Sequence, residues 1–224
     1  MSGMRGVRAL GAIGIATILV AIGVVVGIAW QSGHPGDSAG PRPSATDIGF
    51  AQDMSTHHDQ AILMARTIAA APSADVRGLA DRIILTQTGE TSTMRGWLTW
   101  FGAPMASETP MSWMQNIPAG GHDHHGGGEH AAAPGDAPPM PGMASVAEIG
   151  RLSELQGRAA EVLFLQLMIR HHRGGMAMAA AAQNDPTASA ATKQLALAMI
   201  SDQGDEVGQM TLMLADRDAA PLPA

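Results

Sequence analysis

A pattern of histidine and methionine occurs twice in this chain and constrains its fold more than any other feature. FAQDMSTHHDQAILMA covers residues 50–65 and FLQLMIRHHRGGMAMA covers residues 164–179, and both fit F-x-Q-x-M-x-x-H-H-x-x-x-x-x-M-A. Each is followed by a second shared block, QTGETSTMRGWL at 87–98 and QGDEVGQMTLML at 203–214. The repeated unit is predicted to be a helical hairpin, and two such hairpins would share one core as a four-helix bundle.

Composition favours the same all-α fold. Aromatic residues make up only 3% of the chain, and tyrosine and cysteine are absent. A chain poor in aromatic and β-branched residues outside its N-terminus favours helices over strands. The absence of cysteine excludes disulfides and thiolate metal sites. The formal net charge of −7 argues against nucleic acid as a partner, because phosphate binding requires clustered Lys and Arg.

The N-terminus resembles a membrane anchor. Residues 1–8 contain Arg5 and Arg8, and the uncharged apolar run at 9–30 is long enough to cross a bilayer as a helix. The two arginines place residues 1–8 in the cytoplasm and the remaining chain outside. Cleavage near DSAG at 37–40, followed by secretion, is the alternative. Residues 31–45, rich in Gly, Pro and Ser, are predicted to be a flexible tether.

Capping and breaking signals divide the remaining chain. Ser44 and Asp47 form a capping box before the first hairpin, predicted at 46–102 and broken at Pro72. Residues 103–144 have no periodicity and are predicted to be a disordered Met/His-rich linker. A second capping box, SVAE, precedes the second hairpin at 145–218, in which Asp185 is predicted to cap the last helix. The two hairpins would form one four-helix domain over 46–218.

The repeated motif places sulfur and imidazole on one helical face, since positions i, i+3, i+4 and i+7 are neighbours. This donor set suits a soft ion, so copper is the predicted ligand, with Cu(I) favoured, Ag(I) as a mimic, and Cu(II) possible if a glutamate takes part. A zinc site is less suited because methionine is a poor zinc ligand. Methionine at helical spacing is also common core packing. The primary candidates are Met54, His57, His58, Met64, Met168, His171, His172 and Met178.

Two further groups of residues are metal-binding candidates. The predicted partner helices supply Glu90, Met94, Glu206 and Met210, and Met176 lies one turn after His172. The two glutamates would either bind the metal or fix the histidine tautomers by hydrogen bonds. The linker would capture copper, or else be a solvated segment of biased composition. Its candidates are His122, His124, His125, His130, Met111, Met114, Met140 and Met143.

No catalytic motif is evident in the sequence. A ferritin-like di-iron site requires Glu-x-x-His pairs, and none occurs here. There is also no cysteine nucleophile, G-x-S-x-G turn or phosphate-binding glycine loop. We therefore predict no catalytic residues and a protein that is not an enzyme, with a copper-dependent redox enzyme as the alternative.

Both halves resemble the DUF305 family, whose signature is similar to F-L-x-x-M-I-x-H-H-x-x-A-I-x-M-A followed by Q-x-x-E-I-x-x-M-x-x-W-L. The second half matches at Phe164, Leu165, Met168, Ile169, His171, His172, Met178 and Ala179. The first half matches at Phe50, Met54, His57, His58, Ala61, Ile62, Met64 and Ala65, then Gln87, Glu90, Met94 and Leu98. Departures occur at Asp53, Ser55-Thr56 and Arg173-Gly174-Gly175, none of which removes a candidate ligand.

The resemblance implies a ferritin-like four-helix arrangement, usually secreted or membrane-tethered, with copper binding in some relatives. Together with the donor set, it predicts a membrane-anchored extracytoplasmic copper-binding protein for buffering, resistance or delivery. The alternative is a metal-free cell-envelope interaction module with Met-rich surfaces. A homodimer through exposed methionines and a copper-transport partner protein are interactions that the sequence leaves open.

Overall fold

The computed structural model describes residues 42–68, 73–116 and 138–223. The membrane span predicted at 9–30, nearly all of the tether and the linker histidines His122, His124, His125 and His130 lie outside these residues. The secondary structure of the described residues is entirely helical. Among them, none of the helices is both long and apolar enough to cross a bilayer.

The first helix, α1, covers Ala45–Thr67 and begins at the predicted capping box. Ser44 Oγ accepts a hydrogen bond from the backbone N–H of Asp47, and the Asp47 carboxylate accepts one from the backbone N–H of Ser44. The second helix, α2, covers Ala74–Phe101 and ends at Gly102, whose φ of 64° is left-handed. Glycine adopts this conformation without steric strain, so α2 ends where the sequence predicts.

Three further helices follow the linker: α3, Val146–Glu154; α4, Gly157–Asn184; and α5, Ala190–Ala215. The predicted Ser145–Glu148 capping box begins α3. The prediction for α5 is wrong, because its N-cap is Ser189, whose side chain accepts from the backbone N–H of Thr192. Asp185 instead ends α4. Its carboxylate accepts hydrogen bonds from Thr46 and Thr187 and is not available to cap α5.

The helices pack in two pairs joined at the centre. In each repeat the motif helix contacts its partner, α1 with α2 and α4 with α5, and the two motif helices α1 and α4 contact each other. Asp47 adds a link between α1 and α5, since it accepts hydrogen bonds from Ser189 N at 2.8 Å and from Thr192 Oγ1 at 2.6 Å. The duplicated motifs therefore face each other across the α1–α4 contact.

The linker prediction does not hold for its described parts. In residues 103–116 a short 3₁₀ helix, Ser112–Asn116, brings Trp113 into the core, where its indole N–H donates to Asp53 at 2.9 Å. Residues 138–144, named the strap below, bury Met140 and Met143 in the same cluster. Burial of these large apolar side chains stabilises segments whose Gly and Pro content predicts disorder.

Candidate metal centre

The four histidines of the repeated motif lie inside the protein. His57 and His58 on α1, and His171 and His172 on α4, are each at most 1% exposed. The rings of His57 and His171 meet at the α1–α4 contact, with centroids 3.8 Å apart and planes inclined by 35°. Imidazoles contributed by both repeats therefore come into direct contact.

The second histidine of each pair faces its own partner helix. His58 Nε2 lies 2.8 Å from Glu90 Oε2 on α2, and His172 Nε2 lies 2.7 Å from Glu206 Oε2 on α5. Neighbouring residues of a helix point about 100° apart, so an adjacent pair reaches two different helices. Glu90 and Glu206 thus hold equivalent positions in the two repeats.

The first histidine of each pair donates to a backbone carbonyl. His57 Nε2 lies 3.0 Å from the Pro141 carbonyl oxygen of the strap, and His171 Nε2 lies 3.0 Å from the carbonyl oxygen of His57. A carbonyl oxygen only accepts hydrogen bonds, so Nε2 carries the proton in both rings. A carboxylate imposes the same tautomer on His58 and His172.

This tautomer leaves Nδ1 as the atom with a free lone pair. Nδ1 of His57, His58 and His172 is buried and has no hydrogen-bond partner. Burial lowers the pKa of His57 to about 3, and it also lowers the pKa of His171 well below 6.5. Both rings are therefore neutral at pH 7. A neutral imidazole with one nitrogen held by an oxygen acceptor is the form that binds metals.

Methionines from both repeats are combined in the two core clusters. Met54 and Met94 of the first repeat share a core cluster with Met178 of the second. The other cluster contains the equivalent residues with the repeats exchanged: Met168 and Met210 of the second repeat lie with Met64 of the first. All six side chains are fully buried. Each cluster combines thioethers from the two halves of the chain, which a metal site or an ordinary core would both use.

Unpaired polar atoms accompany the histidines. Gln87 Oε1 and Nε2, Thr91 Oγ1 and Gln203 Oε1 are buried without a hydrogen-bond partner. Unpaired buried polar groups cost about 1–3 kcal/mol each and are uncommon in native proteins. Within the described residues, no group of three or more His, Asp or Glu side chains is arranged so that it could hold a metal ion. A metal at the imidazoles would therefore need donors of other types to complete its coordination.

The remaining candidates occupy supporting positions. Glu90 and Glu206 bond to histidine Nε2, the positions of tautomer-fixing residues. Met176 is half-buried against α5 near Gly204. The linker methionines that are described do not extend into solvent as capture residues would: Met140 and Met143 are buried, and Met111 and Met114 pack against the same cluster.

Sequence reasoning missed the strap's role at the site. Besides the Pro141 contact with His57, Gln60 exchanges two hydrogen bonds with the backbone of Ala144, at 2.9 and 2.6 Å. Close approach depends on Gly174, where a Cβ atom would stand 2.0 Å from the Pro141 carbonyl oxygen. The Gly174-Gly175 pair in the second motif was the available signal, because adjacent glycines inside a helix cost stability and usually have a packing reason.

Solved structures of similar fold include two DUF305 proteins and one protein in a copper-bound form. A DUF305 protein of Streptomyces coelicolor is 35% identical, with a TM-score of 0.67 over 80% of this chain and 98% of its own. A DUF305 fragment of Deinococcus radiodurans is 27% identical, with a TM-score of 0.60 over 79% and 99%. CopM in the Cu(I)-bound form is 23% identical, with a TM-score of 0.54 over 77% and 98%.

No protein with a curated description matches the chain. The family model described as "Domain of unknown function (DUF305)" matches residues 47–214, which include both motif helices, both partner helices and the strap. The match and the structural likeness confirm the resemblance predicted from the two His-His motifs. The chain belongs to the DUF305 family.

Proposed function

We propose that this protein binds copper outside the cytoplasm, with Cu(I) as the favoured ion, for buffering, resistance or delivery. The observation that carries the proposal is the set of four buried imidazoles whose Nε2 atoms are all engaged, while Nδ1 of three is unpaired. A core built only for packing would place apolar side chains here, since unpaired buried nitrogen costs free energy.

The methionine clusters support the preference for Cu(I). Thioether and imidazole donors suit Cu(I), and both types come from both repeats. CopM, which is similar in fold, has been solved in Cu(I)-bound, Cu(II)-bound and Ag-bound forms. Copper binding in that protein makes the same ligand a reasonable assignment for the present site.

The proposal includes a ferritin-like four-helix bundle and an extracytoplasmic location. The α1–α2 and α4–α5 pairs with their central α1–α4 contact support the bundle. The apolar run at 9–30 supports a membrane anchor, and the Streptomyces coelicolor relative is described as a "putative secreted protein". The proposed role is binding and transfer of a metal ion, without a catalytic step. The metal-free alternative receives less support, because its Met-rich surface would need the motif methionines that the structure buries.

Titration with Cu(I) against a competing chelator tests the proposal. We expect the His57/His58/His171/His172 quadruple alanine variant to lose the tightly bound copper. Deletion of residues 117–137 removes the four linker histidines but none of the described contacts, and it should keep the tight site. Full stoichiometry in the quadruple variant, with loss in the deletion, would move the binding site to the linker and refute the proposal.

A milder variant separates binding from folding. In His57→Gln/His171→Gln, the new amide nitrogens reach about as far from the backbone as imidazole Nε2 and can still donate to the two carbonyls, whereas the imidazole lone pairs are gone. Circular dichroism should show a folded protein with weakened Cu(I) binding. A folded double variant with wild-type affinity would exclude these two rings as ligands.

A further inference from the structure

The two repeats differ at the residue one turn after the first histidine. In the first motif this residue is Ala61, and in the second it is Gly175. Glycine inside a helix costs about 1 kcal/mol relative to alanine. The missing methyl group at Gly175 leaves a small space beside α4, and two side chains from other helices approach it.

One of these side chains is Gln203 of α5. Its Oε1 lies 2.6 Å from the position that a Cβ atom of Gly175 would occupy. Gln203 is only 4% exposed, and Oε1 has no hydrogen-bond partner. A buried, unpaired amide oxygen therefore points into the space that glycine leaves open.

The other side chain is His57 of α1. Its Cε1 atom lies 3.3 Å from the same Cβ position. Cε1 is bonded to both ring nitrogens, and Nε2 is engaged by the Pro141 carbonyl. The unpaired Nδ1 is thus the ring nitrogen available near Gly175. An imidazole ring whose Nδ1 is unpaired and an amide oxygen, on different helices, therefore both approach one opening.

We propose that His57 Nδ1 and Gln203 Oε1 form a copper subsite of mixed nitrogen and oxygen character beside Gly175, one that prefers Cu(II). This inference rests on the proposed copper-binding function. Nitrogen and oxygen donors suit Cu(II), whereas the flanking thioether clusters suit Cu(I). We assign the subsite to the second repeat alone, because the first repeat has Ala61 at the position of Gly175.

Replacement of Gln203 tests the oxygen donor. We expect Gln203→Leu to lower Cu(II) affinity at least tenfold, measured by chelator competition and by the Cu(II) electron paramagnetic resonance spectrum, and to change Cu(I) affinity less than twofold. Gln203→Glu should raise Cu(II) affinity because a carboxylate is a stronger donor. All variants are made in the full-length chain with the four linker histidines replaced by alanine, so that these do not bind Cu(II).

Gln87→Leu is the matched control. Gln87 holds the equivalent position in the first repeat and is likewise buried with an unpaired amide, but that repeat has Ala61 in place of Gly175. We expect this variant to leave affinity for both copper ions within twofold of wild type. Equal effects of the two leucine variants, or unchanged Cu(II) affinity in Gln203→Leu, would overturn the proposal.

Gly175→Ala tests the space itself. Its methyl group would displace the flexible end of Gln203 and should weaken Cu(II) binding as much as Gln203→Leu does. Gly208→Ala, also within a helix and with nothing within 4 Å of the added atom, should leave binding unchanged. Wild-type Cu(II) affinity in Gly175→Ala would overturn the proposal.

Thermal melts of the metal-free variants test whether Gln203 has only a structural role. If Gln203 only supported the fold, Gln203→Leu would melt at a lower temperature than wild type. We expect an equal or higher melting temperature, since the substitution removes an unpaired buried group. A wild-type protein that does not bind Cu(I) would refute the proposed function. Intact Cu(I) binding together with unchanged Cu(II) affinity in both Gln203 variants would refute this inference alone.

Discussion

Gly174→Ala should separate the strap from α4 and destabilise the protein. The new methyl would stand 2.0 Å from the Pro141 carbonyl oxygen and 2.9 Å from the Gly142 nitrogen. These are backbone atoms, so no side chain can rotate away. Real Cβ atoms essentially never approach another atom closer than 3.0 Å, so the strap and the helix must move apart by at least about 1 Å.

The magnitude follows from the contacts that this movement breaks. Overpacking costs about 1–3 kcal/mol, and an unpaired N–H on buried His57 costs about 1–3 kcal/mol. Higher helix propensity returns about 1 kcal/mol. The expected net loss is about 1–5 kcal/mol of unfolding free energy, and its midpoint of about 3 kcal/mol corresponds to a fall in melting temperature of about 10 °C for a domain of this size.

Urea unfolding followed by far-UV circular dichroism, with a chelator present, measures this loss. Gly208→Ala on α5 is the control, because its methyl meets nothing within 4 Å; it should stabilise by about 0.5–1 kcal/mol. If Gly174→Ala proves as stable as wild type, the strap does not hold His57 in the way described here.

Three other substitutions test separate contacts. Glu90→Ala leaves the Nε2–H of His58 unpaired, and should cost about 1–3 kcal/mol of stability and about 10–100-fold in copper affinity, measured by denaturation and chelator competition. Burial raises the pKa of Asp47, but the hydrogen bonds that its carboxylate accepts outweigh this effect and lower the pKa below 3.8. The stability advantage of wild type over Asp47→Asn should therefore be full above pH 4 and shrink below it. Urea titrations at several pH values measure this difference. Asp53→Ala removes the acceptor of the Trp113 indole N–H, so the tryptophan fluorescence spectrum should shift to longer wavelength as this side chain gains access to water.

Each of these three predictions has a specific contradictory outcome. Copper affinity within twofold of wild type in Glu90→Ala would mean that the His58 tautomer does not matter for binding. A constant difference between wild type and Asp47→Asn from pH 6 to pH 2 would show that the carboxylate has an ordinary pKa. An unchanged spectrum in Asp53→Ala would mean that packing alone holds the indole in place.

The duplicated motif was sufficient to predict the helices but not what covers them. Capping boxes at Ser44 and Ser145, and Gly102 at a helix end, are local signals, and the helices begin and end close to them. Trp113, Met140 and Met143 lie in segments without periodicity, and their burial depends on contacts with residues distant in sequence. Local composition therefore predicted disorder where tertiary packing imposes order.

Some hydrogen-bond partners of the histidines were predictable, but only where these partners are side chains. The sequence predicted that Glu90 and Glu206 either bind a metal or hold the histidines by hydrogen bonds, and they lie within hydrogen-bond distance of His58 and His172. The carbonyl groups of Pro141 and His57 carry no residue-specific signal, since every residue has one. Asp185 failed as a predicted cap for a related reason: its hydrogen bond from Thr46 comes from a distant helix.

The hydrogen bond from His171 to the His57 carbonyl has no counterpart in the reverse direction, because His57 donates to Pro141. Two identical hairpins related by a twofold axis would have to satisfy both rings in the same way. Two repeats within one polypeptide are free of that requirement. The two halves of this chain therefore differ where they meet, and the difference gives their contact a chemical polarity that a symmetric pair would lack.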